Sequence, residues 1–193
     1  MTTELPVISG LTEEQALTLV YCRYYGQYVS MLEGYLAGQC PFCDPMNDSL
    51  NRIVRVSRGW RMWKNPFAIQ HSALHLVLAP RNHIISVDQI TASDFTDIGR
   101  LFIWARKKYK LTGGGFAMRF GSPRMSTGTV LHLHANIIIP DLTGEVEVVF
   151  AKTPEKVAEQ VSRMHVFEKL RLGAELTSLD PSELKLVEGR VKR

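Results

Sequence analysis

Apolar residues recur at helical spacing from Thr12 to about Leu36, with Leu17, Val20, Tyr24, Tyr28, Met31 and Tyr35 on one stripe. Thr12 and Gln15 form a capping-box pattern at its start, and Gly38 ends it. The stripe fits a core face or a dimer seam better than a ligand box. A second helical period runs from Ala92 to about Lys110, with Phe95, Ile98, Leu101, Phe102, Ala105 and Tyr109 inward and Gly113 to Gly115 as its stop. A third opens on Thr153 and Pro154 and carries Val157, Val161, Met164, Phe167 and Leu170. Between the helices lie shorter runs that read as strands. Arg52 to Ser57 and Trp60 to Trp63 flank a hairpin-type turn at Arg58-Gly59, after a turn at Asn47, Asp48 and Ser49. Leu74 to Ala79, Phe116 to Phe120, Thr129 to Pro140 and Glu145 to Ala151 are further strands. Strands grouped between helices and joined by hairpin-type turns predict an α+β fold with an antiparallel sheet. The last twenty residues mix charges with isolated leucines and read as a peripheral or mobile tail.

One strand breaks the apolar pattern. In Thr129-Val-Leu-His132-Leu-His134-Ala-Asn136-Ile-Ile-Ile-Pro140, the polar residues are spaced by two. That spacing puts His132, His134 and Asn136 on one face of a strand. Three polar side chains in a row are costly to bury unless they meet a metal, a ligand or one another. Imidazole can act as nucleophile, metal ligand or general acid. Directly upstream, Gly121-Ser-Pro-Arg-Met-Ser-Thr-Gly128 is rich in small residues and hydroxyls. It reads as a loop whose backbone N–H groups are free to cradle a phosphate, with no Gly-Lys-Ser/Thr of a Walker loop.

Composition narrows the setting. The chain has 193 residues, 45% hydrophobic and 22% charged, which is ordinary for a globular protein of one domain or one domain with appendages. A net charge of +4 suits phosphate-bearing ligands, but no basic stripe marks a nucleic-acid binder, so no nucleic-acid partner is expected. No segment approaches the roughly 20 apolar residues of a membrane span, so no membrane partner is expected. Glu4 and Pro6 stand where a secretory leader would be basic and apolar. A cytoplasmic location is the expectation. Three cysteines fit a reducing compartment: Cys22 stands alone among apolar residues, and Cys40 and Cys43 form a Cys-x-x-Cys pair. The pair admits a metal, a redox or an unmetallated reading. A thioredoxin-type motif should open a helix, whereas this one follows a helix.

The pattern Gly128-Thr129-Val130-x-His132-x-His134-x-Asn136-Ile-Ile-x-Pro140 resembles the signature His-x-His-x-His of the histidine-triad (HIT-like) nucleotide hydrolases and transferases. His75-Leu-Val-Leu-Ala-Pro80-Arg-Asn-His83 resembles the family's upstream strand end, and Asn65-Pro66-Phe67 its Asn-Pro-aromatic loop. Cys40-Pro-Phe-Cys43 resembles the pair of its zinc-bearing branch. The resemblance covers roughly residues 40–140. It implies a five- or six-stranded antiparallel sheet with flanking helices. It divides the chain into an N-terminal helical extension (1–38), a catalytic domain (39–151) and a C-terminal helix and tail (152–193).

By the same resemblance His134 is the nucleophile toward the α-phosphorus of a nucleotide phosphoanhydride or phosphoramidate, forming a nucleotidyl-histidine. Cys40, Cys43, His83 and His132 would hold a structural zinc, with His75 as a reserve ligand. Asn65 and Phe67 would line the base and ribose, and Arg119, Arg124, Ser126, Thr127 and Thr129 the phosphates. Arg119 stands where the family carries Asn. The family commonly dimerises, and the aromatic first helix could serve as the seam of a homodimer, although the sequence leaves the oligomeric state open. Asn136 replaces the third histidine, and an amide cannot protonate a leaving group near neutral pH. Hydrolysis, transfer to phosphate or another acceptor, and non-catalytic nucleotide binding therefore remain alternatives.

Overall fold

A computed structural model describes residues 8–43 and 52–191. The turn expected at Asn47 to Ser49 lies outside them. Two compact units partition the chain. One comprises residues up to Pro41, Ser122–Leu131 and the residues from Phe150 on; the other comprises Phe42–Gly121 and His132–Val149.

The sheet lies in the second unit. Its strands are β1 (Ile53–Ser57), β2 (Trp60–Lys64), β3 (Ser72–Pro80), β4 (Gly115–Arg119) and β5 (His134–Pro140), in the order β1-β2-β3-β5-β4. All neighbours are antiparallel, as the α+β reading requires. The expected hairpin closes β1 on β2, with Ser57 opposite Trp60 and Arg58 in the left-handed region at φ 41°. Helix α3 (Ala92–Tyr109) packs on β1 and β2. Its Asp97 accepts from Ser57 Oγ at 3.1 Å and from the Gly59 N–H at 3.3 Å, while Asp94 accepts from Trp60 Nε1 at 2.8 Å. The helix is thereby pinned to the hairpin turn by charge-assisted bonds.

Alternation along the strands then sorts side chains between two faces. Trp60, Met62, Leu76, Leu78, Leu133, Ala135 and Ile137 form one core with Ile98, Leu101 and Ala105 of α3. Arg61, Trp63, His75, Val77, His134 and Asn136 belong to the opposite face, and all six are buried. A sheet buried on both faces explains why β2 and β3 read as nearly continuous apolar runs.

The other unit is helical. It contains α1 (Glu13–Val20), α2 (Tyr25–Leu36), α4 (Pro123–Ser126), α5 (Pro154–Arg171) and α6 (Pro181–Val187). The aromatic stripe of the first helical segment is core: Tyr28 and Tyr35 are buried, and Tyr28 packs against Phe167 of α5 at 5.9 Å between ring centres. The capping box at Thr12 forms as expected, and so does the Thr153 cap of α5.

Several expectations need correction. The helix from Thr12 to Leu36 is two helices, because Tyr24 is extended and the Gln27 side chain takes the Arg23 N–H at 2.9 Å, starting a new helix there. Glu145 to Ala151 is not a strand, since its alternation finds no neighbour to pair with; the Val149 carbonyl accepts instead from Arg119 Nη2 at 3.2 Å. The histidine strand begins at His134 rather than Thr129, and the Leu133 N–H goes to the Ile84 carbonyl. Phe95 and Phe102 of α3 face outward, 55% and 36% exposed. Residues 174–191 belong to the helical unit rather than to a loose tail, with Leu179 and Val187 buried and α6 opened by an Asp180 capping box.

Ile137 is 1% exposed at the centre of the α3-facing core. Ile137→Ala is expected to cost about 2–5 kcal/mol of stability in urea unfolding. A loss under about 1 kcal/mol would mean that this face is not closely packed.

Candidate functional site

Metal-ligating side chains meet at the start of the sheet unit. Cys43 Sγ lies 3.3 Å from His83 Nδ1 and 3.6 Å from His132 Nδ1. Cys40 belongs to the same Cys-x-x-Cys turn, inside which the division between the two units falls, and the ligand atoms of all four residues lie within 4.8 Å of one another. A tetrahedral zinc with Zn–S of about 2.3 Å and Zn–N of about 2.0 Å sets sulfur and nitrogen about 3.5 Å apart. The observed separations match that spacing, so the donor set and its geometry fit zinc.

The His132 ring is prepared for a metal. Its Nε2 lies 3.1 Å from the Pro80 carbonyl, an acceptor, so Nε2 carries the hydrogen and Nδ1 keeps its lone pair toward the cysteine. Burial pushes the imidazolium of His132 down to about 3, against the pull of that carbonyl and with help from His83, His134 and Arg61. A neutral ring is the form a metal binds. Four protein ligands would close the coordination sphere, as in a structural site.

Arg61 was not singled out in the sequence. Its guanidinium donates to the carbonyls of Phe42 and Cys43, the latter at 2.6 Å, and so braces the cysteine turn from β2. A charged residue inside Trp60-Arg61-Met62-Trp63 was the available signal, since such a residue must find acceptors when buried. Phe42 was also missed. It presents its edge to His134 at 5.3 Å and 90°, and to Trp63 at 5.0 Å.

His134 opens β5. Its Nδ1 lies 2.8 Å from the backbone carbonyl of His132, so Nδ1 is the protonated nitrogen and Nε2 carries the lone pair. Two residues on, Asn136 Oδ1 lies 2.9 Å from His75 Nε2 on β3. Ile69 N–H donates to His75 Nδ1 at 3.1 Å, and the Asn65 amide nitrogen lies 3.4 and 3.3 Å from the two ring nitrogens. Asn65 also accepts the Phe67 N–H at 2.9 Å, which fixes the Asn-Pro-Phe turn. His75 thus lies in a polar row between Asn65 and Asn136, hydrogen-bonded to Ile69 and Asn136 and outside the cysteine-histidine group. Arg119 pairs with His134 in register across β4 and β5.

The remaining phosphate candidates lie in the helical unit. Arg124 forms an exposed ion pair with Glu13. Gln27 Nε2 donates to Thr129 Oγ1 at 3.2 Å. Ser126 and Thr127 are buried, with Thr127 left-handed at φ 51°. Contrary to expectation, the backbone N–H groups of residues 124–128 are not free. Ser122 caps and Pro123 starts the short helix α4, and the N–H groups of Arg124, Met125, Ser126, Thr127 and Gly128 all have acceptors within this segment. A Ser cap followed by Pro at the first helical position is itself a helix-start signal.

No protein-family model and no curated protein matches the chain. Similar solved structures include a member of the HIT family of proteins from Bacillus subtilis, at 17% identity and TM-score 0.46, covering 78% of this chain and 92% of that one. A zinc-bound histidine triad family protein from Mycobacterium smegmatis is similar at 15% identity and TM-score 0.44, covering 72% of this chain and 99% of that one. A diadenosine triphosphate hydrolase from Plasmodium falciparum is similar at 16% identity and TM-score 0.41, with 63% and 80% covered. Among the described residues no helix is long and apolar enough to cross a membrane.

Purified protein is expected to carry about one zinc per chain, as a closed four-ligand site would. Metal analysis by plasma mass spectrometry should show that Cys43→Ala loses it. Equal zinc in wild type and variant, or none in wild type purified without chelator, would contradict the assignment.

Proposed function

We propose that the chain is a zinc-stabilised, histidine-triad-like enzyme that cleaves a nucleotide at its α-phosphorus through a nucleotidyl-His134 intermediate. The observation that carries the reading is the bond from His134 Nδ1–H to the His132 carbonyl, 2.8 Å long. It selects the tautomer whose lone pair is on Nε2, the atom that would attack phosphorus. As the N–P bond forms, the ring becomes cationic, and the same carbonyl then accepts a charge-assisted hydrogen bond. The bond to the leaving group breaks in this step and its electron pair departs with that group. Water or another acceptor next forms a bond to phosphorus and gives its proton to solvent, and the P–N electron pair returns to the ring.

The zinc group would act on shape alone. A bound metal would hold the His132 ring, and with it the backbone carbonyl that orients His134. Arg119, beside His134 across the ladder, supplies a fixed positive charge for phosphate oxygens. The motif resemblance of residues 40–140 supports a nucleotide as substrate.

His134→Ala should lower kcat at the α-phosphorus by about 10⁴-fold or more, as loss of a nucleophile does. Zinc content and melting temperature should stay near wild type. A variant that keeps more than about a tenth of wild-type kcat would refute covalent catalysis at His134. Wild-type protein that binds nucleotides but turns over no anhydride or phosphoramidate would support the non-catalytic binding module instead.

A further inference from the structure

Asn136 and His75 together form a device that the motif alone does not disclose. Ile69 N–H donates to His75 Nδ1, so that nitrogen holds a lone pair. A neutral imidazole with an acceptor at Nδ1 carries its hydrogen on Nε2. His75 Nε2–H therefore donates to Asn136 at 2.9 Å, and the Asn136 atom facing it must be the oxygen. The amide orientation follows from a backbone N–H rather than from choice. The Asn136 oxygen is occupied, and its NH2 group, which has no hydrogen-bond partner among the described residues, is the part left for a ligand. Asn136 shares a strand face with His134, two residues away.

We infer that Asn136, locked by His75, makes this site a hydrogen-bond donor without a general acid, and so restricts it to substrates whose leaving group departs as a stable anion. The inference rests on the nucleotidyl-transfer reading above and names its substrate class: phosphoanhydrides and aryl esters of nucleotides, not alkylamine phosphoramidates. The balance of the step gives the reason. His134 Nε2 donates its pair to phosphorus while the bond to the leaving group breaks and that pair departs with it. Phosphate or a phenolate leaves as an anion, and an amide N–H can steady it through a hydrogen bond. An alkylamine must gain a proton as its P–N bond breaks. The Asn136 amide cannot give one up near neutral pH, and the His75 Nε2–H is committed to the Asn136 oxygen. General-acid help is worth about 10²–10⁴-fold, which sets the size of the discrimination. His75 is a positioning residue, acting through Asn136.

The test uses the full-length protein with three 5′-derivatives of each of the four common nucleosides: the p-nitrophenyl phosphate, the symmetrical dinucleoside tetraphosphate and the N-butyl phosphoramidate. Wild type should turn over the first two with kcat/KM at least about a hundredfold above the third. Across aryl esters of falling phenol acidity the rate should drop steeply, a readout that needs no variant. Asn136→His supplies a protonatable ring and should narrow the gap by about tenfold or more. His75→Ala should lower kcat on the aryl ester by about tenfold with little change in KM, and His75→Gln, whose amide nitrogen can donate to the same oxygen, should recover most of it. Phosphoramidate turnover within about tenfold of the aryl ester, a flat dependence on phenol acidity, or an unchanged gap in Asn136→His overturns the inference while leaving His134 as nucleophile. Equal losses in His75→Ala and His75→Gln overturn the positioning role. Turnover of none of the substrates overturns the nucleotidyl-transfer reading and this inference with it.

Discussion

The hydrogen bond from His134 Nδ1 to the His132 carbonyl is the contact on which the site depends. Within three residues of chain, His132 gives its carbonyl to His134 and turns its ring to Cys43. Each partner is held from another direction. The Pro80 carbonyl sets the His132 tautomer, and Phe42 closes over both rings. Arg61 braces the turn that carries Cys43. A shift of the metal group would therefore be felt at His134 as a change in tautomer and aim.

The sheet makes this arrangement affordable. Its two faces are both buried but differently filled. The α3 side is aliphatic and aromatic, centred on Trp60, Leu78, Leu101 and Ile137. The other side carries His75, His134, Asn136 and Arg61. Buried polar groups are tolerated where each finds a partner. Here the partners are His75 of β3 for Asn136, the His132 carbonyl just before β5 for His134, and the Phe42 and Cys43 carbonyls of the cysteine turn for Arg61. The apolar face contributes the stability that such a polar face consumes.

Much of this was legible in the sequence because it follows from spacing. The i, i+2, i+4 row of His132, His134 and Asn136 needed only period two and the Arg58-Gly59 hairpin only its turn residues, whereas the gathering of Cys40, Cys43, His83 and His132 was implied by the motif resemblance. What escaped depended on pairing and hydrogen-bond closure. The alternation of Glu145 to Ala151 signals a capacity to pair, but a strand also needs an edge to pair with. The loop at 121–128 was read from its small residues, yet its Ser122-Pro123 start closes a short helix and uses up its N–H groups. Phe95 and Phe102 fit the helical period of α3, but the inward stripe proved narrower, centred on Ile98, Leu101 and Ala105. Arg61 and the His75–Asn136 pair were hidden because their roles depend on which atoms meet across strands.

The most direct measurement is rapid quench of the full-length protein with a nucleotide labelled at the α-phosphorus, followed by peptide mass spectrometry. A histidine phosphoramidate is stable to base and labile to acid, so the label can be held and then released. The account predicts a nucleotidyl group on the peptide containing His134, formed and lost at rates compatible with turnover. Turnover with no labelled protein at any time, or label on a residue other than His134, would contradict it.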